Sequence, residues 1–185
     1  MKERRKMKEI LWHGRGGQGA FTASILLGLA YTVESPWHRA LAFPSFGPER
    51  RGAPIRAFNR ISEGEVGDRS EITKADYLLY LDDSLLGDSP WDELKENGIA
   101  LVNTDRRREG WGSNVVTFDA TGLAREILGL PVANTALLGF WAGISGEVSL
   151  DALIQGIRQG LKPKLQEGNI RVAEASFARG KAYVG

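Results

Sequence analysis

The octapeptide His13-Gly14-Arg15-Gly16-Gly17-Gln18-Gly19-Ala20 is the stretch of this chain best suited to chemistry. Its four glycines separate a strand pattern at Glu9-Ile10-Leu11-Trp12 from a helical pattern at Phe21-Thr22-Ala23-Ser24-Ile25-Leu26. Lacking a Cβ, Gly14, Gly16, Gly17 and Gly19 can adopt positive φ and admit a ligand or a second polypeptide against bare peptide. The helix behind them aims free N–H groups and its positive dipole end into the loop. That suits a phosphate, a carboxylate or an acidic side chain of a partner.

Read literally, Gly14-x-Gly16-x-x-Gly19 is a dinucleotide fingerprint, which also requires an acidic residue closing the second strand about 20 residues later. The second strand reads as 39–43 and runs into Pro44-Ser45 without a carboxylate, while Glu34 falls at the end of the first helix. A free-standing dinucleotide-binding oxidoreductase therefore stands as the alternative, with its ribose anchor missing.

The loop from Pro44 to Pro54 is the second candidate, carrying Ser45, Gly47, Pro48, Glu49, Arg50, Arg51 and Gly52. It follows a strand end, where open α/β sheets collect ligands. Arg50 and Arg51 can form a fork for a carboxylate or phosphate, with Glu49 orienting one of them. A solvated turn explains the same composition equally well. Asn134 and Thr135 form a third candidate, as a site or as a helix cap. His13 can act as a general base, but a histidine at a strand end is more often structural, and His38 offers less. Asp82 and Asp83 can hold a metal ion or cap a turn, and Arg106-Arg107-Arg108 reads as a solvated charge run. No G-x-S-x-G, Walker A or H-E-x-x-H sequence occurs, so self-contained catalysis is not expected.

Behind these residues, positions 20–34 place Phe21, Ile25, Leu26, Leu29 and Val33 on one helical face, and Gly28 marks close approach of a neighbour. Strands are expected at 39–43, 55–61 and 77–81, the last apolar throughout and covered on both sides. Residues 91–98 predict a short helix with a glycine stop, followed by strands at 99–103 and 115–119 and a helix at 121–128. Three helices follow at 136–144, 149–161 and 169–179. This alternation predicts an α/β fold: a single Rossmann-like domain with an open, mostly parallel sheet and C-terminal helices.

With 185 residues and no linker, one domain is expected over 9–185, behind a basic, flexible N-terminus at 1–8. No apolar run follows that terminus, so no secretory leader is expected and a cytoplasmic location is. The longest apolar run, 136–144, is too short for a membrane span. A net charge of +1 gives no field for nucleic acid. The absence of cysteine removes catalytic thiol, thiolate zinc and iron–sulfur ligation from this chain, which leaves any redox metal chemistry to a partner.

Three segments together exceed generic pattern: residues 13–20, the run Phe43 to Pro54, and Asn134-Thr135-Ala136-Leu137-Leu138-Gly139. In order and spacing they resemble the gamma subunit of 2-oxoacid:ferredoxin oxidoreductases, the pyruvate synthase family. The likeness runs from Glu9 to the C-terminal helices and includes Arg56-Ala57-Phe58 and Leu101-Val102-Asn103-Thr104. It departs at Gly52-Ala53, where such chains often carry Gly-Gly.

The resemblance implies a complex that oxidatively decarboxylates a 2-oxoacid with coenzyme A and passes electrons to ferredoxin. Thiamine diphosphate, Mg and [4Fe-4S] clusters would lie on alpha, beta and delta-type subunits, and this chain would bind no cofactor alone and be inactive alone. It further implies that the loops at 14–19 and 45–52 form one surface facing a partner and bordering the path of the acyl acceptor. Gln18 would bridge that surface, Glu49 would fix Arg50 or Arg51, and an arginine would meet a carboxylate or phosphate.

Overall fold

The computed structural model describes residues 7–45, 47–48 and 50–185. In chain order the elements are β1 (Lys8–Arg15), α1 (Ala20–Glu34), β2 (Arg39–Pro44), β3 (Pro54–Ser62), β4 (Ala75–Tyr80), β5 (Leu94–Asn103) and β6 (Val115–Phe118). The helices α2 (Ala120–Leu128), α3 (Asn134–Ser145), α4 (Leu150–Gly160) and α5 (Pro163–Val184) complete it. The strands form one open sheet in the order β2-β3-β1-β4-β5-β6. Pairing is parallel from β1 through β6 and antiparallel on both sides of β3, so β3 alone runs against the rest. The expected α/β architecture is present, and the C-terminal third is helical.

The second strand departs from its expected place. β2 forms a hairpin with β3 and occupies the sheet edge, while β3 lies beside β1. Asn59 of β3, fully buried, fixes this arrangement. Its Oδ1 accepts from Trp12 Nε1 (3.0 Å), and its Nδ2 donates to the carbonyls of Ser24 (2.9 Å) and Leu41 (3.1 Å). One side chain thus joins β1, α1, β2 and β3.

The two faces of the sheet are covered differently. All five helices send their buried side chains into the cluster that contains Ile10, Trp12 and Leu79. Leu11, Phe58, Leu78 and Val102 point the other way, into a smaller cluster closed by loop residues Ile72, Leu85, Trp91 and Trp111. The alternation of side chains along each strand serves two apolar layers, which is why β4 reads as apolar throughout.

Three helical expectations change. In α1, Leu26 is buried as expected, but Phe21 and Ile25 are each 37% exposed; Ala23, Leu27 and Ala30 complete the packed face. Small residues win there because α4 presses close: a Cβ on Gly156 would come within 2.8 Å of the Ala30 nitrogen. The predicted helix at 91–98 is instead a turn leading into β5, which bulges so that Leu94 pairs with Ala75 and Ile99 with Tyr77. Lys95 supports this, reaching Asp76 (2.9 Å) on the neighbouring β4 and Glu9 (2.8 Å) on β1 beyond it. The final helix extends beyond 169–179 in both directions, starting at Pro163, which is tolerated in a first turn. Of the basic terminus, residues 1–6 lie outside the described residues, and Lys8 already pairs with Ile61 in β1.

Candidate functional site

The parallel strands β1, β4 and β5 end side by side, and the chain leaves each of them at the same edge of the sheet. Leu81 N–H bonds the His13 carbonyl (2.8 Å), and Asn103 Nδ2 bonds the Leu81 carbonyl (2.9 Å). Asn103 also donates to Thr121 Oγ1 (2.8 Å) and accepts from Thr121 N (3.1 Å), which fixes the start of α2 at this edge. Ligands of open α/β sheets gather outside the carboxyl ends of strands.

Gln18 shapes the glycine turn from within. Its Oε1 accepts from Arg15 N (2.7 Å) and its Nε2 donates to Asp82 Oδ2 (2.9 Å), so one amide closes the turn and ties it to the end of β4. Arg15 reinforces the tie through Asp82 (3.2 Å), the Gly52 carbonyl (3.0 Å) and Ser84 Oγ (2.8 Å). Burial opposes ionisation of Asp82, but hydrogen bonds from Ser84 and Gln18 and the Arg15 charge outweigh it and hold its carboxyl below the usual range. Asp82 therefore caps the turn at Asp83–Leu85, as one of its expected readings had it, and also anchors Gln18 and Arg15. No local pattern signals that second role, since it spans 64 residues of sequence.

The glycine and arginine loops meet directly. Gly16 N donates to Ala53 O (2.8 Å), Gly52 N donates to Gly16 O (2.9 Å), and Gly16 bridges to Arg51. A Cβ on Gly16 would collide with the Arg50 carbonyl oxygen and lie 2.9 Å from its carbon. The bare peptide of Gly16 is consequently covered by the chain's own second loop, where the sequence suggested an external ligand. The side chains of Arg50 and Arg51 are exposed, as are Gly47, Pro48 and Gly52, and the Ser45 hydroxyl accepts from Arg56 N (3.3 Å). Glu49, expected to orient an arginine, lies outside the described residues.

The third motif arrives at the same place. Asn134 Nδ2 reaches the Gly19 carbonyl (3.3 Å), and a Cβ on Gly19 would lie 2.5 Å from that nitrogen. The expected capping pair is corrected here: Ala133 is the N-cap of α3, without a side-chain bond, and Asn134 and Thr135 lie inside its first turn. Asn134 is spent across the fold on Gly19, and Thr135 is 1% exposed. Gly17 and Gln18 face Leu81, Thr121, Pro131, Val132 and Ala133 across a cavity of about 120 Å³.

On the loop-covered face, next to Gly14, His13 Nε2 donates to Glu93 Oε2 (2.7 Å) and its ring stacks on Tyr80 (centroids 4.4 Å apart). Arg56 joins the pair through Glu93 (3.3 Å) and Glu71 (2.9 Å). His13, Ser45, Arg56, Glu71 and Leu85 line a cavity of about 320 Å³. Burial, with Glu93 nearby, pushes the Tyr80 phenol up, so it stays protonated and donates to the Pro90 carbonyl (3.3 Å). The His13 hydrogen bond, opposed by burial and aided by the His13 and Arg56 charges, holds the Glu93 carboxyl below the ordinary glutamate range. A depressed carboxyl stabilises the fold above its unfolded pKa and loses that contribution as pH falls through its folded one. Glu93→Gln is therefore expected to unfold more easily than the unaltered chain at neutral pH. The two unfolding curves should converge on acidification below about pH 4.3, and thermal melts across a pH series check this.

The same three motifs lie inside a sequence match to known proteins. Residues 9–179 match the family described as pyruvate ferredoxin/flavodoxin oxidoreductase. The chain belongs to that family. It is 41% identical over 172 residues to pyruvate synthase subunit PorC of Methanothermobacter thermautotrophicus, covering 92% of this chain and 94% of that one. It is 40% identical over 185 residues to the common gamma subunit of the pyruvate/ketoisovalerate oxidoreductases of Thermococcus kodakarensis, covering 96% and 99%. Its fold matches the crystal structure of pyruvate oxidoreductase subunit PORC from Thermotoga maritima with a TM-score of 0.77 and 34% identity, over 96% and 97% of the chains.

As a member of the pyruvate ferredoxin/flavodoxin oxidoreductase family, the chain loses its dinucleotide alternative on geometry as well. In the dinucleotide fold the strand whose acidic tip holds the ribose lies beside β1. Here the antiparallel β3 takes that position, and the Arg50–Ala53 backbone covers Gly16. The charge run at 106–108 is also more than a solvated surface. Arg107 donates to the carbonyls of Val115, Trp111 (3.0 Å) and Gly112 (2.7 Å), and Arg108 lies over the Trp111 ring (5.8 Å). His38 is structural: it stacks on Tyr31 (4.1 Å) and Nδ1 bonds the Tyr31 carbonyl (3.0 Å).

Proposed function

We propose that this chain is the gamma subunit of a 2-oxoacid:ferredoxin oxidoreductase, with residues 9–185 as its gamma-type domain. The complex converts pyruvate or a related 2-oxoacid and coenzyme A to an acyl-CoA and carbon dioxide, with the electrons leaving on ferredoxin. The convergence of the three motifs supports this most: Gly16 is covered by the arginine loop and Gly19 by Asn134, so segments 115 residues apart build one surface. Thiamine diphosphate, Mg and [4Fe-4S] clusters belong to the alpha, beta and delta-type partners in this reading, consistent with a chain that has no cysteine for cluster ligation. The chain contributes a rigid polar edge, acts only in the assembled complex and works in the cytoplasm.

Within that edge, Arg50 and Arg51 are the exposed cations, held in place by a loop whose backbone is bonded to Gly16. They meet an anion, either on coenzyme A or on a partner subunit. Arg51→Ala in the assembled complex separates the two. A coenzyme A KM raised about tenfold with normal assembly assigns the arginine to the acyl acceptor, whereas loss of assembly assigns it to the interface. Unchanged KM and unchanged assembly would remove the role. The reading as a whole is tested by tagging the chain in a native extract: copurified larger subunits carrying thiamine diphosphate and iron–sulfur absorbance are expected. A lone, active chain holding a dinucleotide would overturn it.

A further inference from the structure

Beside the glycine loop, a groove of about 370 Å³ runs between the first turns of α1 and α3, the 128–132 segment and the start of α5. Leu130, Val132 and Leu165 line it and are 57%, 40% and 45% exposed. Asn134, only 6% exposed, forms part of its floor, and its Oδ1 is buried without a partner among the described residues. A buried amide oxygen left without a donor costs on the order of 1–3 kcal/mol, so an added N–H or O–H at this position is favoured.

The electrostatics of the groove are one-sided. No side chain caps α3 and its first turn holds no acidic residue, so nothing within this helix offsets the positive end of its dipole beside the groove. Lys164 lines the same groove and forms no ion pair with a described residue. Thr22, also on the wall, has Ile25 as its i+3 neighbour on α1, and Ile25 is 37% exposed. The wall is thus aliphatic, the rim is cationic, and the floor lacks one donor.

We infer that this groove receives a segment of a partner subunit that carries an aliphatic side chain flanked by a carboxylate. The aliphatic group lies against Leu130, Val132 and Leu165, the carboxylate faces Lys164 and the α3 N-terminus, and an N–H of the segment reaches Asn134 Oδ1. The inference rests on the reading of this chain as a subunit. It adds a second contact, of defined chemistry, adjoining the glycine loop, because Asn134 lines the groove and also touches Gly19.

The chain has no cysteine, so Leu165→Cys introduces a unique thiol at an exposed position. Maleimide labelling of that thiol is expected to be about tenfold slower in the purified complex than in the isolated chain; equal rates overturn the inference. Protection of the isolated chain by coenzyme A alone would give the groove to a small ligand, and protection that grows with chain concentration would give it to a second copy. Either result overturns it. As a second variant, Leu165→Glu sets a carboxylate against the incoming one and is expected to cut copurification of the larger subunits about tenfold, with the isolated chain's thermal unfolding unchanged. If the unaltered chain assembles and Leu165→Glu assembles equally well, the groove assignment fails and the subunit reading stands. If the unaltered chain copurifies with no larger subunit, both fail.

Discussion

Gly16→Ala is expected to destabilise the isolated chain by about 3 kcal/mol, lowering its melting temperature by about 6–12 °C. The added methyl meets the Arg50 carbonyl, which is backbone and has no rotamer to escape into. Relief requires the arginine loop to move away, which breaks the bonds Gly16 N to Ala53 O (2.8 Å) and Gly52 N to Gly16 O (2.9 Å). Overpacking costs about 1–3 kcal/mol and each lost hydrogen bond about 1 kcal/mol, so the two effects together give the stated size. Gly17→Ala is the informative comparison. Its added Cβ has room, with Arg51 Cγ at 3.8 Å, so only the strain of φ 92° opposes it, about 1–2 kcal/mol. Thermal unfolding of both variants ranks the effects. A larger loss for Gly17→Ala would mean that the loop needs glycine for its turn and not for close approach.

Asn59→Leu is expected to cost about 3 kcal/mol or more. The heavy-atom count is conserved, but two methyl groups are bulkier than the planar amide, so overpacking adds to a polar loss: Trp12 Nε1 loses its acceptor and the Ser24 and Leu41 carbonyls lose a shared donor in a fully buried site. Each orphaned buried group costs about 1–3 kcal/mol. Adding Trp12→Phe removes the stranded donor. In a double-mutant cycle the pair should be less destabilised than the sum of the single variants by about 1 kcal/mol. Strict additivity would show that the Trp12–Asn59 bond contributes nothing. Because Asn59 fixes β3 between β1 and β2, the single variant should also raise hydrogen exchange in the β2–β3 hairpin, which leads into the arginine loop.

These two positions describe how the site is supported. Asn59 holds β3 in place, β3 begins where the arginine loop ends, and that loop closes over Gly16. Gln18 and Asp82 then bind the glycine turn to the end of β4. A partner meeting this edge meets a preorganised surface, with little ordering cost left for the moment of assembly.

The residues alone determine a good deal about this protein. Strand and helix periods, glycine and proline punctuation and the lack of cysteine establish an α/β chain with no thiolate to offer a metal, and the three motifs indicate its family. Those signals are local, carried by neighbours in sequence or by composition. Tertiary structure decides what the motifs do to one another. Local composition makes Gly16 and Gly19 look open, yet they are filled by Ala53, Arg50 and Asn134, which sit far along the chain. Asn134 reads as a cap because Asn at a helix start usually is one, and it is diverted to Gly19 across 115 positions. The turn before β5 reads as a helix until Lys95 finds Glu9 and Asp76 on adjacent strands. Likewise, nothing near Asp82 announces Gln18 as its partner. In each case a long-range contact outweighs a local preference of a few tenths to about 1 kcal/mol, because a buried polar group or a backbone clash is worth more than a propensity.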